Sequence, residues 1–430
     1  MDGTFSLILL LLFLWSLCSQ RLARVELTAP VAFVLLGLLL SEGVGVLDLA
    51  PSPETVRTLA EVTLTWVLFT DAARLSFRAL RPELGLYGRL LLLGLPMCIG
   101  LGTLLAIGLL PGVSGWAALY VAAALAPTDA ALGATMMVDP AVPARIRRLI
   151  NVESGLNDGI ATPFVVLALA GVAAAGSTSD THGSGGALVE LAIGLIYGVV
   201  LGLVAGWLLR FALRRGWATE DVAGTGVLAL ALLSYLSSLA IGGNGFVAAF
   251  AAGLAFGSTH GAPQGVLLFV EQTGSLFSML VWLLFGAVLV PAAFEHFTWQ
   301  AVLYAVLSLT VVRMVPVALS LAGSGLDKRT VLFVGWFGPR GLASVIFGLL
   351  AVEELAPSAW HSIAPVVACT VLLSVLAHGI TSAPLAQRYG KASAVTGVPP
   401  AGPAENELPI RGMGAGAVRA RRRGGRDGRA

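Results

Sequence analysis

Residues 151–163 read NVESGLNDGIATP, and they sit between an arginine cluster (Arg145, Arg147, Arg148) and an unbroken apolar run. The stretch puts Glu153, Ser154, Asn157 and Asp158 where a membrane helix should carry oil-soluble side chains. Residues four apart share a helix face, so Glu153 stacks with Asn157 and Ser154 with Asp158. The two columns lie about 100° apart at 3.6 residues per turn, which makes one polar stripe on a greasy helix. Pro163 follows, and its missing N–H leaves a carbonyl near Gly159 unpaired. The plainer reading is a hydrogen-bond cluster that glues helices together. A carboxylate is a costly glue at bilayer depth, where an ionisable group takes several kcal/mol to bury, so the stripe marks a functional site.

The rest of the chain is consistent with that setting. Of its 430 residues 57% are hydrophobic and only 12% charged, against about one quarter charged in soluble domains. Apolar runs of about 20 residues recur along the length, each able to cross a bilayer as a helix. The fold class that follows is an all-α polytopic membrane protein with about 13 transmembrane helices, at 4–19, 27–42, 55–74, 85–110, 116–137, 146–171, 187–210, 221–240, 244–258, 268–291, 299–321, 330–352 and 362–386. The first run has Asp2 and no basic residue ahead of it, so it reads as a span and not as a signal peptide. With the N-terminus outside and sides alternating, the loop arginines and lysines gather inside, and only Arg57 falls outside. That asymmetry is the positive-inside pattern and predicts N-out, C-in. Residues 174–186 read as a flexible outer loop, and 391–430 as a disordered basic cytoplasmic tail touching anionic lipid. The tail's RARRRGGRDGR run reads as membrane contact or topology anchoring, with no nucleic-acid partner. Cys18, Cys98 and Cys369 are scattered in apolar runs and read as core residues, not as a disulfide framework or zinc site.

Two further spans are interrupted. The fifth carries ALAPTDAALGA, with Thr128 and Asp129 beside Pro127; the twelfth carries VGWFGPRGLAS, with Arg340 among Gly338, Pro339 and Gly341. Taking 187–210 as a linker, the breaks fall in the fifth helix of each of two six-helix repeats, about 4–171 and 221–386. One linking span inverts the second repeat. Paired broken helices in inverted halves point to a secondary transporter's binding site near the midplane. Asp129 then compensates positive helix N-terminal ends and Arg340 negative C-terminal ends. Arg313 in the eleventh span needs an acid, and Glu153 is the best candidate, which leaves Asp158 as the acid with no cation assigned. Burial disfavours the charge on such a carboxylate and a bound cation favours it. One group able to hold a proton or a small cation, but not both, is sufficient for exchange. Thr128, Ser154 and carbonyls at the break supply hard oxygen ligands that suit a small alkali ion.

The segments APTDAALGATM, VPARIRRLINVESGLNDGIATP, GGNGFVAAFAAGLAFG and GWFGPRGLASVIF, in this order, resemble the monovalent cation:proton antiporter-1 family, which holds the NhaP-type sodium/proton antiporters and the NHE exchangers. The resemblance covers most of spans five to thirteen. It implies the inverted-repeat antiporter fold of NhaA and NapA type, a homodimer, and a core that moves as an elevator. It also implies that Asp158 carries proton and cation in turn, that Thr128 and Ser154 coordinate Na⁺ with it, and that Asp129 helps through water or the helix break. Asn157 is the first half of an Asn-Asp pair that implies electroneutral exchange; Glu153 with Arg313 and Arg340 are stabilising residues. One departure is Ala130, where family members often have proline after the Thr-Asp pair. Asp71 and Glu271 read as interfacial or structural, and His260 and His296 as solvated loop-end histidines.

The expected function is therefore Na⁺ (or Li⁺) exchange for H⁺ across the plasma membrane, with no cofactor and no Walker-type nucleotide motif. K⁺/H⁺ exchange on the same fold is the alternative. An intramembrane aspartyl enzyme using Asp129 and Asp158, or a cation channel, are the remote ones. Against the enzyme, the chain has neither a GxGD nor an HExxH signature, and Arg313 and Arg340 would have no role.

Overall fold

The computed structural model describes residues 2–24, 27–43, 52–75, 80–133, 136–137, 139–176, 184–259, 263–355 and 357–395. The described residues are almost wholly helical. With no water at membrane depth, each backbone N–H and C=O must find its partner within its own segment. In chain order the helices are α1 Asp2–Arg24, α2 Ala29–Leu38, α3 Pro53–Ala73, α4 Arg81–Leu109, α5 Gly115–Ala124, α6 Ala144–Gly176 and α7 Ser184–Arg214. There follow α8 Glu220–Ala240, α9 Gly245–Ser258, α10 Gly265–Glu295, α11 Trp299–Ser320, α12 Lys328–Trp336, α13 Leu342–Glu354 and α14 Pro357–Val395. Seven of them (α4, α6, α7, α8, α10, α11 and α14) are long and apolar enough to cross a membrane, and shorter apolar helices lie between them.

Start signals are local. Ser114, Asn244, Thr298 and Asp327 each accept the N–H three residues ahead at the starts of α5, α9, α11 and α12, satisfying one of the orphan donors of a helix N-terminus. Pro53 opens α3, where its missing N–H costs nothing.

Several expectations shift. The fifth span is not one helix to residue 137: α5 stops at Ala124, the chain is unwound through 125–129, a tight turn, Ala130–Gly133, follows, and Met136 and Met137 are again helical. In keeping with the expected span 146–171, α6 runs through Pro163 without a break. α14 continues to Val395, past the expected start of the tail at 391; residues 396–430 lie outside the described residues. The loop expected over 174–186 is helical to Gly176 and again from Ser184. Cys98 is buried as expected, whereas Cys18 is exposed on α1.

The packing brings α4, α5 and α6 together in succession and joins α11, α12, α13 and α14. A second group holds α3, α7, α8, α9 and α10, with α3 against both α6 and α13. Within it α7 lies on α9 through Gly194, Gly198, Gly202 and Gly206, where a Cβ would strike Asn244, Ala248, Ala252 and Thr259. Small residues spaced by four let two backbones touch, the usual device for helix contact in a membrane. The opposite side of α7 presents Leu195, Ile196, Val199, Leu203 and Trp207 outward, an apolar face suited to lipid.

Candidate functional site

The site forms where the two unwound segments, 125–129 and 337–341, cross. The crossing is fastened main chain to main chain, the Asp129 N–H donating to Pro339 O at 2.7 Å. Tyr120 OH on α5 reaches Phe347 O on α13 at 2.6 Å and ties the adjoining half-helices together.

Each break exposes helix-end groups that need partners. Asp129 answers the N-terminal ends. Its Oδ1 accepts Ala131 N–H at 3.0 Å and its Oδ2 accepts Leu342 N–H, the first residue of α13, at 3.2 Å. Arg340 answers carbonyls. Its Nη1 donates to Ala126 O and Pro127 O just past the end of α5, and its Nη2 to Ser308 O at 3.4 Å. Ser308 opens a wide π-type turn, Ser308–Val312, that ends at Arg313; such turns release a carbonyl from the ladder. Acid on N-terminal donors and guanidinium on C-terminal acceptors is the arrangement that the helix dipole favours. The close approach also explains the glycines. A Cβ at Gly341 would collide with the Asp129 side chain, and one at Gly338 with the Arg313 guanidinium.

α6 lays its polar stripe against this crossing. Ser154 Oγ donates to Thr128 O and accepts Ala130 N–H, both at 2.8 Å. Asn157 Nδ2 donates to Thr128 Oγ1 at 2.6 Å, and Asn157 Oδ1 is buried with no hydrogen-bond partner among the described residues. Asp158 is 2% exposed, one turn above Ser154 on the same helix, and Thr162 Oγ1 donates to its main-chain carbonyl at 2.8 Å. Thus Ser154 and Asn157 are bonded to Thr128 at the first break, Asp129 caps the break beside them, Asp158 is buried one turn from Ser154 on the same helix, and Arg340 bonds the carbonyls of the break. Glu153, on the other column of the stripe, is taken by Arg313 in a two-pronged pair at 2.6 and 2.9 Å, both residues 3% exposed. Such fork-to-fork geometry satisfies both carboxylate oxygens at once.

Other polar residues fall elsewhere. Asp71 on α3 and Glu271 on α10 are buried and share Arg74, at 3.6 and 3.1 Å. Arg74, just past the end of α3, is therefore a buried brace between helices. His296 is stacked on His361 with ring centroids 4.0 Å apart, so it is not simply solvated; His260 lies outside the described residues. Among the described residues no cluster of His, Cys, Asp and Glu forms a transition-metal-type site. The sequence reading passed over Ser308, Ser374 and His378, which support the second break; His378 carried a signal, an ionisable residue inside an apolar span.

Two broken helices that cross beside a buried polar cluster are the arrangement in which secondary transporters build their binding sites. The profile of the family described as "Sodium/hydrogen exchanger, transmembrane" matches residues 7–388. The chain belongs to that family, whose members are ion antiporters and not enzymes, and it is a multi-pass membrane protein. It is 28% identical over 312 residues to a Na⁺/H⁺ antiporter of Schizosaccharomyces pombe, covering 64% of this chain and 65% of that one. To the K⁺/H⁺ antiporter NhaP2 of Shewanella oneidensis it is 26% identical over 243 residues, 56% of this chain and 42% of that one. The match thus spans less than two thirds of these relatives' own length. In fold it is similar to the sodium proton antiporter MjNhaP1 of Methanocaldococcus jannaschii, with TM-score 0.74 and 19% identity, over 90% of this chain and 98% of that one.

Proposed function

We propose that the protein exchanges Na⁺ (or Li⁺) for H⁺, with Asp158 holding the proton or the cation in turn. The observation that carries this reading is that Asp158, 2% exposed, lies one turn from Ser154 on the helix whose Ser154 and Asn157 bond the first break, and that Asn157 Oδ1 is buried there with no hydrogen-bond partner among the described residues. A carboxylate this deep is neutralised by whatever cation reaches it, proton or metal. Thr128, Ser154 and Asn157 are neutral oxygen donors suited to completing the shell of a hard alkali ion. Asp129 enters chiefly by holding the break, because both its oxygens already receive backbone N–H groups. Glu153 and Arg313 cancel each other, so Asp158 takes up one positive charge whether it holds a proton or a monovalent cation, and one-for-one exchange is electroneutral.

The same reading includes thirteen crossings in two inverted repeats joined by α7, a core of α4–α6 and α11–α14 that moves as an elevator, and a homodimer. The plasma membrane with N-terminus outside and C-terminus inside completes it, with the segment after α14 as a basic tail against lipid. The grouping of the packing and the basic residues at one set of helix ends support these assignments. In proteoliposomes holding a pH-sensitive dye, a sodium pulse should shift the internal pH, and Asp158→Asn should abolish the shift. Normal exchange by that variant would remove Asp158 from its role. K⁺ is the second reading, favoured by the similarity to a protein named as a K⁺/H⁺ antiporter; the same vesicles pulsed with Na⁺, Li⁺ and K⁺ chlorides separate the two.

A further inference from the structure

Behind the second break, on α14, a histidine is buried in the core: His378 is 1% exposed. Its Nε2 lies 2.9 Å from Trp336 O, the last residue of α12. Its Nδ1 lies 3.3 Å from Ser374 Oγ and 2.9 Å from Ser374 O. Ser374 Oγ in turn accepts the Arg340 N–H at 2.6 Å. A neutral imidazole carries one N–H. With it on Nε2, a chain runs from Arg340 N–H to Ser374 Oγ, from the Ser374 hydroxyl to Nδ1 and from Nε2–H to Trp336 O, while Ser374 O receives no bond from the ring. Both edges of the break, residues 336 and 340, are then stitched to α14.

The same cage also accommodates the protonated ring. Nδ1–H then donates to Ser374 O, Nε2–H stays on Trp336 O, and the Ser374 hydroxyl hydrogen must turn away. The charged groups bearing on the ring from neighbouring segments are the Arg340 and Arg313 guanidiniums, both cations. The remaining neighbours are neutral: Ser374, and the Trp336 ring 5.1 Å away, itself held by Thr381 through Trp336 Nε1 at 3.0 Å. Protonating His378 adds a positive charge to a region that already holds two.

We propose that His378, with Ser374, is a positioning residue for the Gly338–Gly341 break and makes cation loading pH-dependent: the neutral ring fastens the break, and the protonated ring weakens cation binding at the crossing. The idea rests on the exchange reading above, so one test is independent of transport. Imidazolium quenches a neighbouring indole. Tryptophan emission of the purified full chain in detergent should fall as pH is lowered from about 8 to about 5, a window that covers the usual histidine range and the acid side of it. The fall should shrink in both His378→Gln and Trp336→Phe. Gln keeps a donor for Trp336 O and cannot charge. Wild-type emission that both variants match over this range overturns the proposal, whether or not vesicles exchange ions. In proteoliposomes, the KM for Na⁺ should rise on acidification more steeply in wild type than in His378→Gln, by about threefold or more for an added buried charge. Superimposable KM–pH curves would overturn it too. A quench without any exchange by wild type would instead sink the transport reading alone.

Discussion

The two breaks solve the same problem with opposite chemistry. At 125–129 the chain supplies an acid, and Asp129 closes N-terminal ends with both oxygens. At 337–341 it supplies a base, and Arg340 reaches three carbonyls, two of them in the other break. The first break also faces α6 and shares its hydroxyl and amide groups with Ser154 and Asn157. The second faces α14 and is held by Ser374 and His378. One break thus lies beside the oxygen cluster while the other lends it structural support. The difference shows how a charged residue is kept at membrane depth: as a cap for opened backbone it is fully engaged, and it need not act on the ion.

That division is breakable. The largest effect is expected at Arg340. Arg340→Ala strands two buried carbonyls of the first break and that of Ser308 on α11, and should cost about 3–5 kcal/mol, the scale of removing one partner from a buried charged network. Loss of folded protein in detergent thermal melts checks it, and a melt equal to wild type would show the first break to be self-supporting. Next, Glu153→Gln and Arg313→Gln should each destabilise by about 3 kcal/mol, and the double variant by clearly less than their sum, because each single change leaves a buried charge alone. Strict additivity would mean that the pair does not couple α6 to α11. Third, Gly341→Ala should cost about 2 kcal/mol by overpacking against Asp129. Gly338→Ala, which meets the end of a longer side chain, should cost less; comparison of melting midpoints and exchange rates ranks the two. The smallest effect is expected for Asp129→Asn, which retains one acceptor oxygen and loses charge-assisted bonding, about 1–2 kcal/mol. If Asp129→Asn abolished exchange as completely as Asp158→Asn, Asp129 would belong with the ion and not with the break.

Much of this was legible because the chemistry is local. Pro127, and Gly338 with Pro339 and Gly341, announce interruptions without any knowledge of neighbours. The pairing of Glu153 with Arg313 is long-range, yet intramembrane charges are so few that elimination finds it. Elimination failed for Arg74. It stands at the end of α3, where sequence alone suggests a solvated loop, and its partner Glu271 lies on another helix. His378 was legible in principle by the rule that flagged Asp158, but its hydrogen-bond partner Trp336 O is a main-chain atom and leaves no trace in composition. The four-residue spacing of Gly194, Gly198, Gly202 and Gly206 was equally open to reading, and it fixes α7 against α9. The end of the fifth helix at Ala124 was beyond sequence reasoning in its detail, since nothing in AALG says that a tight turn stands at 130–133.

The link from Asp129 N–H to Pro339 O has a practical consequence. It joins the two strands of the crossing through atoms that every residue except proline possesses, so alanine scanning would pass over it in silence. An amide-to-ester replacement at position 129, which swaps the donor for an oxygen and leaves every side chain untouched, would weigh that clasp directly.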